Sequence, residues 1–468
     1  MGDVQEINGG AWALSADRRI TLLNISLSSF LTPFSGSSFS IALPSISSEF
    51  GLDAVAMNWA SLAFLLSSAV FLIPFGKLAD MHGRKRVYTL GIAVFTLSSA
   101  LLAACPSSAA IVPLRALQGI GSAMVFGTGV AILVSSSSPA ERGSTLGIYS
   151  ASVYAGLSVG PFLGGYMTQN LGWRSIFVFN VVLGLSIILL TIARMRGEWR
   201  EDGEKRFDLM GSAAYGAMFF ALMYGFSKIP QAESIPPIVL SLLLAACLLY
   251  VERRAENPVL DVRLFTGNRA FVLSNLAALV NYSATYSVTF LLSLYLQFLK
   301  AMTPQQAGVV MISSPVLQAL ISPLAGRLSD RVKPASIATI GMAVTTFSLL
   351  PFVFLSEGTP VAGVSGSLAL LGVGLALFSS PNTNYIMGSV DRRLYGVASS
   401  IVGTMRLTGQ MLSQGTAMMT FALYLGAEEI TQPLFPQLLS SIRACFVIFF
   451  FLCTLGVVAS SVGRRYSP

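Results

Sequence analysis

From residue 20 to residue 462, long apolar runs alternate with short polar segments that carry most of the basic residues. A helix needs about 20 mostly apolar residues to cross the hydrocarbon of a bilayer. Fourteen runs meet that length approximately. Six lie at 20–43, 58–76, 88–105, 109–134, 144–166 and 175–194; a central pair follows at 209–229 and 236–252; the last six are 270–296, 305–326, 335–355, 362–387, 397–423 and 440–462. Several contain Pro or Gly, which membrane helices tolerate when neighbours satisfy the freed backbone groups. The pattern predicts an all-α polytopic membrane protein of fourteen spans. An N-terminal six-helix bundle would occupy 20–194, an inserted helix pair would sit within 195–269, and a C-terminal six-helix bundle would fill 270–462. Without the central pair, twelve spans would remain.

Basic residues test the count independently. With a cytoplasmic start, 23 of the 29 Lys and Arg fall in cytoplasmic segments. Arg174, Lys228, Lys300 and Arg443 lie outside, and only Arg115 and Arg406 fall within spans. Such a bias is the positive-inside rule, and dropping one span would invert every later loop. Both termini (1–19 and 463–468) are therefore expected on the cytoplasmic side of a cell membrane.

Composition narrows the function classes. Charged residues make up 11% of the chain, against about 25% for a soluble domain. The net charge of +8 is spread in small clusters, which argues against nucleic acid. Four cysteines lie in or beside apolar runs without metal-like spacing, and the one histidine, His82, sits in a basic loop. No metal site, His-based triad or phosphate-cradling loop can be assembled, so no cofactor is expected and an enzyme is disfavoured. A non-transporting receptor is disfavoured by the internal repeat described next. The first 19 residues lack a small-residue cleavage site before the first apolar run, so a removable signal peptide is not expected.

The stretch Gly76-Lys77-Leu78-Ala79-Asp80 recurs 250 residues later as Gly326-Arg327-Leu328-Ser329-Asp330. The same offset relates the start of the first span, after Arg19, to the start of the ninth, after Arg269. Repeated halves of this kind mark many secondary transporters, with substrate bound between the halves.

Four local patterns add chemistry. The loop after the second span reads Gly76-Lys77-Leu78-Ala79-Asp80-Met81-His82-Gly83-Arg84-Lys85-Arg86, with an acid able to accept from a helix end and a glycine for a tight turn. The fourth span carries Arg115-Ala116-Leu117-Gln118-Gly119, and a cation at that depth needs a partner or a wet cavity. The fifth carries Gly156-Leu157-Ser158-Val159-Gly160-Pro161-Phe162-Leu163-Gly164-Gly165, small residues that allow close helix contact. The sixth opens on Gly172-Trp173-Arg174.

Together these motifs resemble the major facilitator superfamily, and the span-5 string and Gly172-Trp173-Arg174 resemble its fourteen-span drug:proton antiporter branch. The likeness is dense from about residue 40 to 190 and thins afterwards. It implies export of drugs or other small amphiphiles by alternating access, exchanged for protons. It implies a cytoplasmic latch built from Gly76, Asp80, Gly83, Arg84 and Lys85 with Gly326 and Asp330. Coupling and the central cavity would involve Arg115, Gln118, Ser35, Arg406 and Gln410. Phe34, Met124, Asn281, Tyr282, Tyr286, Asn382, Asn384 and Tyr385 would line the substrate site. Gly156, Gly160, Pro161, Gly164 and Gly165 would form the antiporter motif.

One departure bears on coupling. The branch places an Asp a few residues before an Ala-Leu-Pro ending of span 1; here Ala42-Leu43-Pro44 is present, and Ser35 stands where the acid belongs. None of the 21 acids lies inside a span. Proton exchange is then weakened, and the cavity field is expected to be positive, favouring neutral or anionic amphiphiles over cations. A proton-independent facilitator or exporter of anionic amphiphiles or lipids is the alternative. The expected partners are a small amphiphilic substrate, protons and the bilayer, with no obligate oligomer implied.

Overall fold

Apolar side chains recurring over whole helical turns leave the backbone no choice but to satisfy itself within helices. The computed structural model describes residues 4–136, 142–195, 197–199, 209–252, 268–329, 331–390, 395–426 and 428–464. Asp330 of the expected latch lies outside the described residues. The first half comprises α1 (Val4–Phe50), α2 (Ala54–His82), α3 (Arg84–Ala103), α4 (Ser108–Ser136), α5 (Arg142–Leu171) and α6 (Arg174–Arg194). Next come α7 (Leu209–Ser227) and α8 (Ile235–Glu252). The second half holds α9 (Arg269–Thr285), α10 (Val288–Leu294), α11 (Pro304–Met311), α12 (Ser313–Ser329), α13 (Pro334–Val353), α14 (Val361–Gly388), α15 (Tyr395–Tyr424) and α16 (Phe435–Arg464).

Every one of the fourteen apolar runs carries helix, but ten helical stretches among the described residues are long and apolar enough to cross a membrane. α1, α7, α8 and α15 are not among the ten; the apolar stretch at α8, Ala232–Leu248, is short, whereas the polarity of α1 and α15 has a structural reason. On α1, Ser28, Ser29, Thr32, Ser35 and Ser38 are buried against neighbouring helices, and on α15 Thr404, Ser413, Gln414 and Thr420 are too. A helix enclosed by other helices need not be lipid-soluble. Lipid-facing positions instead show as exposed apolar stripes at helical spacing, such as Leu90, Leu97 and Leu101 on α3 and Val178, Val182, Leu185, Leu189 and Ile192 on α6.

Two runs read as continuous are interrupted. The ninth breaks at Tyr286-Ser287, where Ser413 Oγ accepts from the Ser287 N–H (3.0 Å) and Ser287 Oγ donates to Gln414 Oε1 (2.8 Å). The tenth breaks at Ile312, because Pro315 has no N–H to give and its ring crowds the carbonyl of Met311.

The repeat seen in sequence is also a repeat of packing. A Cβ on Gly91 would lie 3.0 Å from the Gly121 carbonyl oxygen of α4, and a Cβ on Gly341, 250 residues later, 2.9 Å from the Gly374 carbonyl oxygen of α14. In both halves a glycine lets the helix pair touch backbone to backbone. α7 lies between α2 of the first half and α15 of the second. Gly216 of α7 abuts Val70 of α2, and Met223 and Phe226 of α7 abut Gly415 of α15. Trp59 of α2 meets Phe220 with ring centroids 6.2 Å apart.

Candidate functional site

Small residues on α5 decide how the halves meet. A Cβ at Gly156, Gly160 or Gly164 would collide with α1, at 2.3 Å from the Phe30 carbonyl oxygen, 1.8 Å from Ser37 Oγ and 2.5 Å from Ser38 Cβ respectively. Gly165 faces the other way, onto the Pro304 carbonyl of α11 at 2.4 Å, and Gly308 of α11 returns the contact onto the Pro161 carbonyl at 2.3 Å. The span-5 string is thus two-sided, gripping α1 within its own half and α11 across the seam.

Hydrogen bonds joining the halves gather at the same end of the molecule. Ser293 Oγ donates to the Ser40 carbonyl (2.7 Å), Gln297 Nε2 to the Ile41 carbonyl (2.9 Å), and the Gln305 N–H to Gln169 Oε1 (3.3 Å). Asp53 and Glu429 add an isolated backbone bridge. This end of the seam is closed.

At the same end, Glu49 of α1 lies beyond the apolar run and receives both guanidinium arms of Arg174 (2.6 and 2.8 Å) and the Trp173 indole N–H (2.7 Å). The Arg174 fork, aided by Trp173, holds the Glu49 carboxyl below its ordinary range. Nothing in the Gly172-Trp173-Arg174 signal named this partner, which is 125 residues away. A depressed carboxylate stabilises the fold above its unfolded pKa, and that contribution fades as pH falls through the lower folded value. Both side chains are more than a third exposed, so the pair contributes less than about 1 kcal/mol. Glu49→Gln is therefore expected to lower the melting temperature slightly at pH 7 and to converge on wild type once the pH falls below the lowered folded-state pKa, as followed by thermal unfolding in detergent.

At the opposite end, the expected latch residues of the first half engage one another and the segment after α6. Arg84 bonds Asp80 Oδ1 through Nε (2.8 Å) and Ser135 Oγ through Nη1 (2.9 Å). Gly83 adopts φ 111°, open to glycine, and any Cβ there would meet the Glu198 side chain at 2.6 Å. Lys85 donates its backbone N–H to Glu198 Oε1 (2.8 Å) and its ammonium to the Met195 carbonyl. Gly76 lies beside Gly127 of α4, and Gly326 beside Ser380 of α14.

Arg115 is 1% exposed, and its guanidinium is sandwiched between the rings of Phe39 (4.1 Å) and Phe64 (4.5 Å). Nη1 donates to Gln118 Oε1 (2.5 Å), Nε to the Ala60 carbonyl (3.2 Å), and Gln118 passes the chain on to Ser99 Oγ (2.8 Å). No carboxylate among the described residues pairs with it. Its charge acts across the seam on the Tyr286 hydroxyl of the second half.

Arg406, expected to be buried like Arg115, is instead an exposed side chain in the middle of α15. Its charge acts on the hydroxyls of Tyr149 and Tyr154 of α5, two residues that sequence reasoning passed over. Gln410, one turn on, is half-buried.

Most of the other expected cavity residues bind their own bundle. Ser35 is fully buried and accepts from Asn180 Nδ2 of α6 (3.0 Å). Phe34, also fully buried, stacks on Phe30 and meets Phe179 at a tilt. Met124 packs with Phe75, Ala79, Val87 and Ile120 where α2, α3 and α4 meet. Asn281 donates to Met342 Sδ (3.0 Å), Asn382 to the Ser274 carbonyl (3.2 Å), Asn384 to Ser329 Oγ (3.0 Å), and the Tyr385 hydroxyl to the Gly463 carbonyl (2.9 Å). Tyr282 and Tyr286 of the substrate set interact across with Tyr154 and Arg115 of the first half. Asn58, not foreseen, is fully buried on α2 with neither amide atom hydrogen-bonded. Among the described residues no cluster of His, Cys, Asp or Glu could hold a metal ion.

Comparison with known proteins agrees with this architecture. The chain is 31% identical to the riboflavin transporter RibZ of Clostridioides difficile over 83% of its length and 84% of the relative's. It is equally 31% identical to the multidrug resistance protein Stp of Mycobacterium tuberculosis, over 87% of this chain and 76% of that one. The nucleoside transporter NupG superposes with a TM-score of 0.66 at 13% identity, covering 95% of this chain and 99% of its own. Residues 25–414 match the family model of the Major Facilitator Superfamily. A repeated all-helical half, a glycine-lined seam and these matches make the chain a multi-pass membrane transporter, not an enzyme, and a member of the major facilitator superfamily.

Proposed function

We propose that the protein is a fourteen-span exporter of drugs or other small amphiphiles, working by alternating access with both termini in the cytoplasm. The observation that carries this reading is the two-sided α5 stripe. Its contact with α11 is glycine against backbone, so parting α5 from α11 strands no side chain of the stripe, and the bonds that must break on opening are the few at Ser293, Gln297 and Gln305. The distribution of Lys and Arg supports the orientation, which makes the closed Asp53 end the outer one. The names of the similar proteins, a riboflavin transporter and a multidrug resistance protein, support a planar or amphiphilic substrate. In the alternate state, Asp80 and Arg84 would latch the inner end together with Gly326, at the end of α12, and Asp330.

A second reading is favoured by one observation. Ser35 replaces the expected acid and no carboxylate lies within a span, so transport would run without proton exchange. Internal pH of proteoliposomes, followed while a cationic, a neutral and an anionic amphiphile are added in turn, separates the two. Protein-dependent proton movement with the cationic compound supports antiport. Flux of the neutral or anionic compound at constant internal pH supports the second reading, and no flux of any kind removes both.

A further inference from the structure

Arg406 differs from Arg115, the other arginine within the spans, in its surroundings. Arg115 is walled in by two aromatic rings, a glutamine and a carbonyl, whereas Arg406 is exposed at mid-helix with no carboxylate partner among the described residues. It does not point away from the protein. Gly409, one turn on, is pressed against α9, where an added Cβ would lie 2.5 Å from the Leu279 carbonyl oxygen and 2.9 Å from Tyr282 Cβ. That contact fixes the side of α15 that meets α9, and with it the position of Arg406 beside the seam. From the other half, α5 presents Tyr149, whose hydroxyl bonds Ser29, and Tyr154, both within the field of Arg406. Tyr282 of α9 interacts with Tyr154. α5 and α15 are not among the closely packed helix pairs, whereas α15 packs on α9 and α5 on α1, so Arg406 and the hydroxyls meet through their side chains. Half-buried Phe30, next to Ser29 on α1, supplies an aromatic wall.

A cation with a planar fork of donors, flanked by phenolic O–H groups and lacking an internal anion, is a receptor for an oxyanion. A cationic ligand placed there would meet an uncompensated like charge. We infer that Arg406, with the hydroxyls of Tyr149, Tyr154 and Tyr282, forms an oxyanion-binding subsite that selects aromatic amphiphiles carrying a carboxylate or phenolate. The inference rests on the transport reading for its purpose but not for its existence. Because the subsite spans both halves, an anion held there would tie α5 to α15, and its charge would set which substrates bridge the seam.

Two dyes on the same xanthene ring test this: fluorescein, an anion, and pyronin Y, a cation without a carboxyl group. Equilibrium binding to purified full-length protein in detergent, read by fluorescence polarisation, is expected to favour fluorescein at least about tenfold in wild type. Arg406→Gln should abolish that preference while leaving pyronin Y binding equal or tighter; Arg406→Lys should fall between, and Tyr154→Phe should weaken fluorescein roughly threefold. A wild-type preference for pyronin Y, or fluorescein affinity untouched in Arg406→Gln, overturns the inference. If Arg406→Gln is not monodisperse, Tyr154→Phe with Tyr282→Phe decides, and unchanged fluorescein affinity there overturns it. Proteoliposome flux separates this from the transport reading. Arg406-dependent binding without flux removes transport and keeps the subsite, whereas flux with Arg406-independent binding does the reverse.

Discussion

Replacing Gly308 with leucine is expected to stop transport while both halves stay folded, and to leave the protein open at the Asp53 end. The reason is local. A first side-chain atom at Gly308 would lie 2.3 Å from the Pro161 carbonyl oxygen, and one at Gly165 2.4 Å from the Pro304 carbonyl oxygen. Both obstacles are backbone, which cannot swing aside as the tip of a flexible side chain would, so α5 and α11 must separate. Overpacking of this kind costs about 1–3 kcal/mol. The cost falls only on the state in which the seam is closed, so it shifts the balance of states by roughly 5- to 150-fold rather than unfolding the chain. A cysteine placed at Ser293, which bonds Ser40 across the same seam, reports the shift on a background lacking the four native cysteines. Its alkylation by a water-soluble maleimide should accelerate several-fold in Gly308→Leu. Two comparisons guard the reading. Gly164→Leu meets α1 within its own half, at 2.5 Å from Ser38 Cβ, and should lower stability without raising reactivity at position 293. Gly147→Ala meets nothing within 4 Å and should behave as wild type. Unchanged reactivity and normal flux in Gly308→Leu would show that the α5–α11 contact does not gate the closed end.

The helices were legible in the sequence because lipid demands it: a span must hide its own backbone and present apolar side chains for about 20 residues. The repeat was legible in the strings at Gly76–Asp80 and Gly326–Asp330, while its counterpart in packing, the close helix contacts at Gly91 and Gly341, emerged only in the structure. The break at Ser287 was not legible. Its cause is Ser413, which takes the N–H from 126 residues away, and no local residue announces it. The break at Ile312 had a local signal in Pro315, but an ambiguous one, because membrane helices also carry proline without breaking. Helical periodicity could place Asn382, Asn384, Tyr385 and Met124 on polar or aromatic faces, but a face does not name its neighbour. Each proved to hold its own bundle. The two intramembrane arginines looked alike in sequence and differ completely in surroundings, because depth along a helix is written in the chain and azimuth is not.

Arg115→Met is expected to leave thermal stability within a few degrees of wild type while lowering flux at least tenfold. A buried cation costs about 2.5–3.5 kcal/mol on insertion scales. Here that cost is met without a carboxylate, by two ring faces, the Gln118 amide oxygen and the Ala60 carbonyl. Methionine keeps much of the stem and surrenders the charge together with its desolvation, an exchange that in buried ionic sites is often neutral or stabilising. The residual penalty is the stranded Gln118 oxygen, about 1–3 kcal/mol, so Arg115→Met with Gln118→Leu should melt higher than the single variant. Gln118→Leu alone should be the harmful change, roughly 3–5 kcal/mol, because it removes a partner and leaves the charge behind. Arg115→Lys should not rescue flux, since an ammonium can neither lie flat between Phe39 and Phe64 nor reach both acceptors as a fork does. A cation kept at a place where an apolar residue would be at least as stable is there for something other than the fold. Its action on Tyr286 of the second half makes the seam the place where that role would be felt. Melting curves paired with proteoliposome flux decide the matter: full flux in Arg115→Met would make the charge a packing residue, and a collapse of stability would make it a structural one.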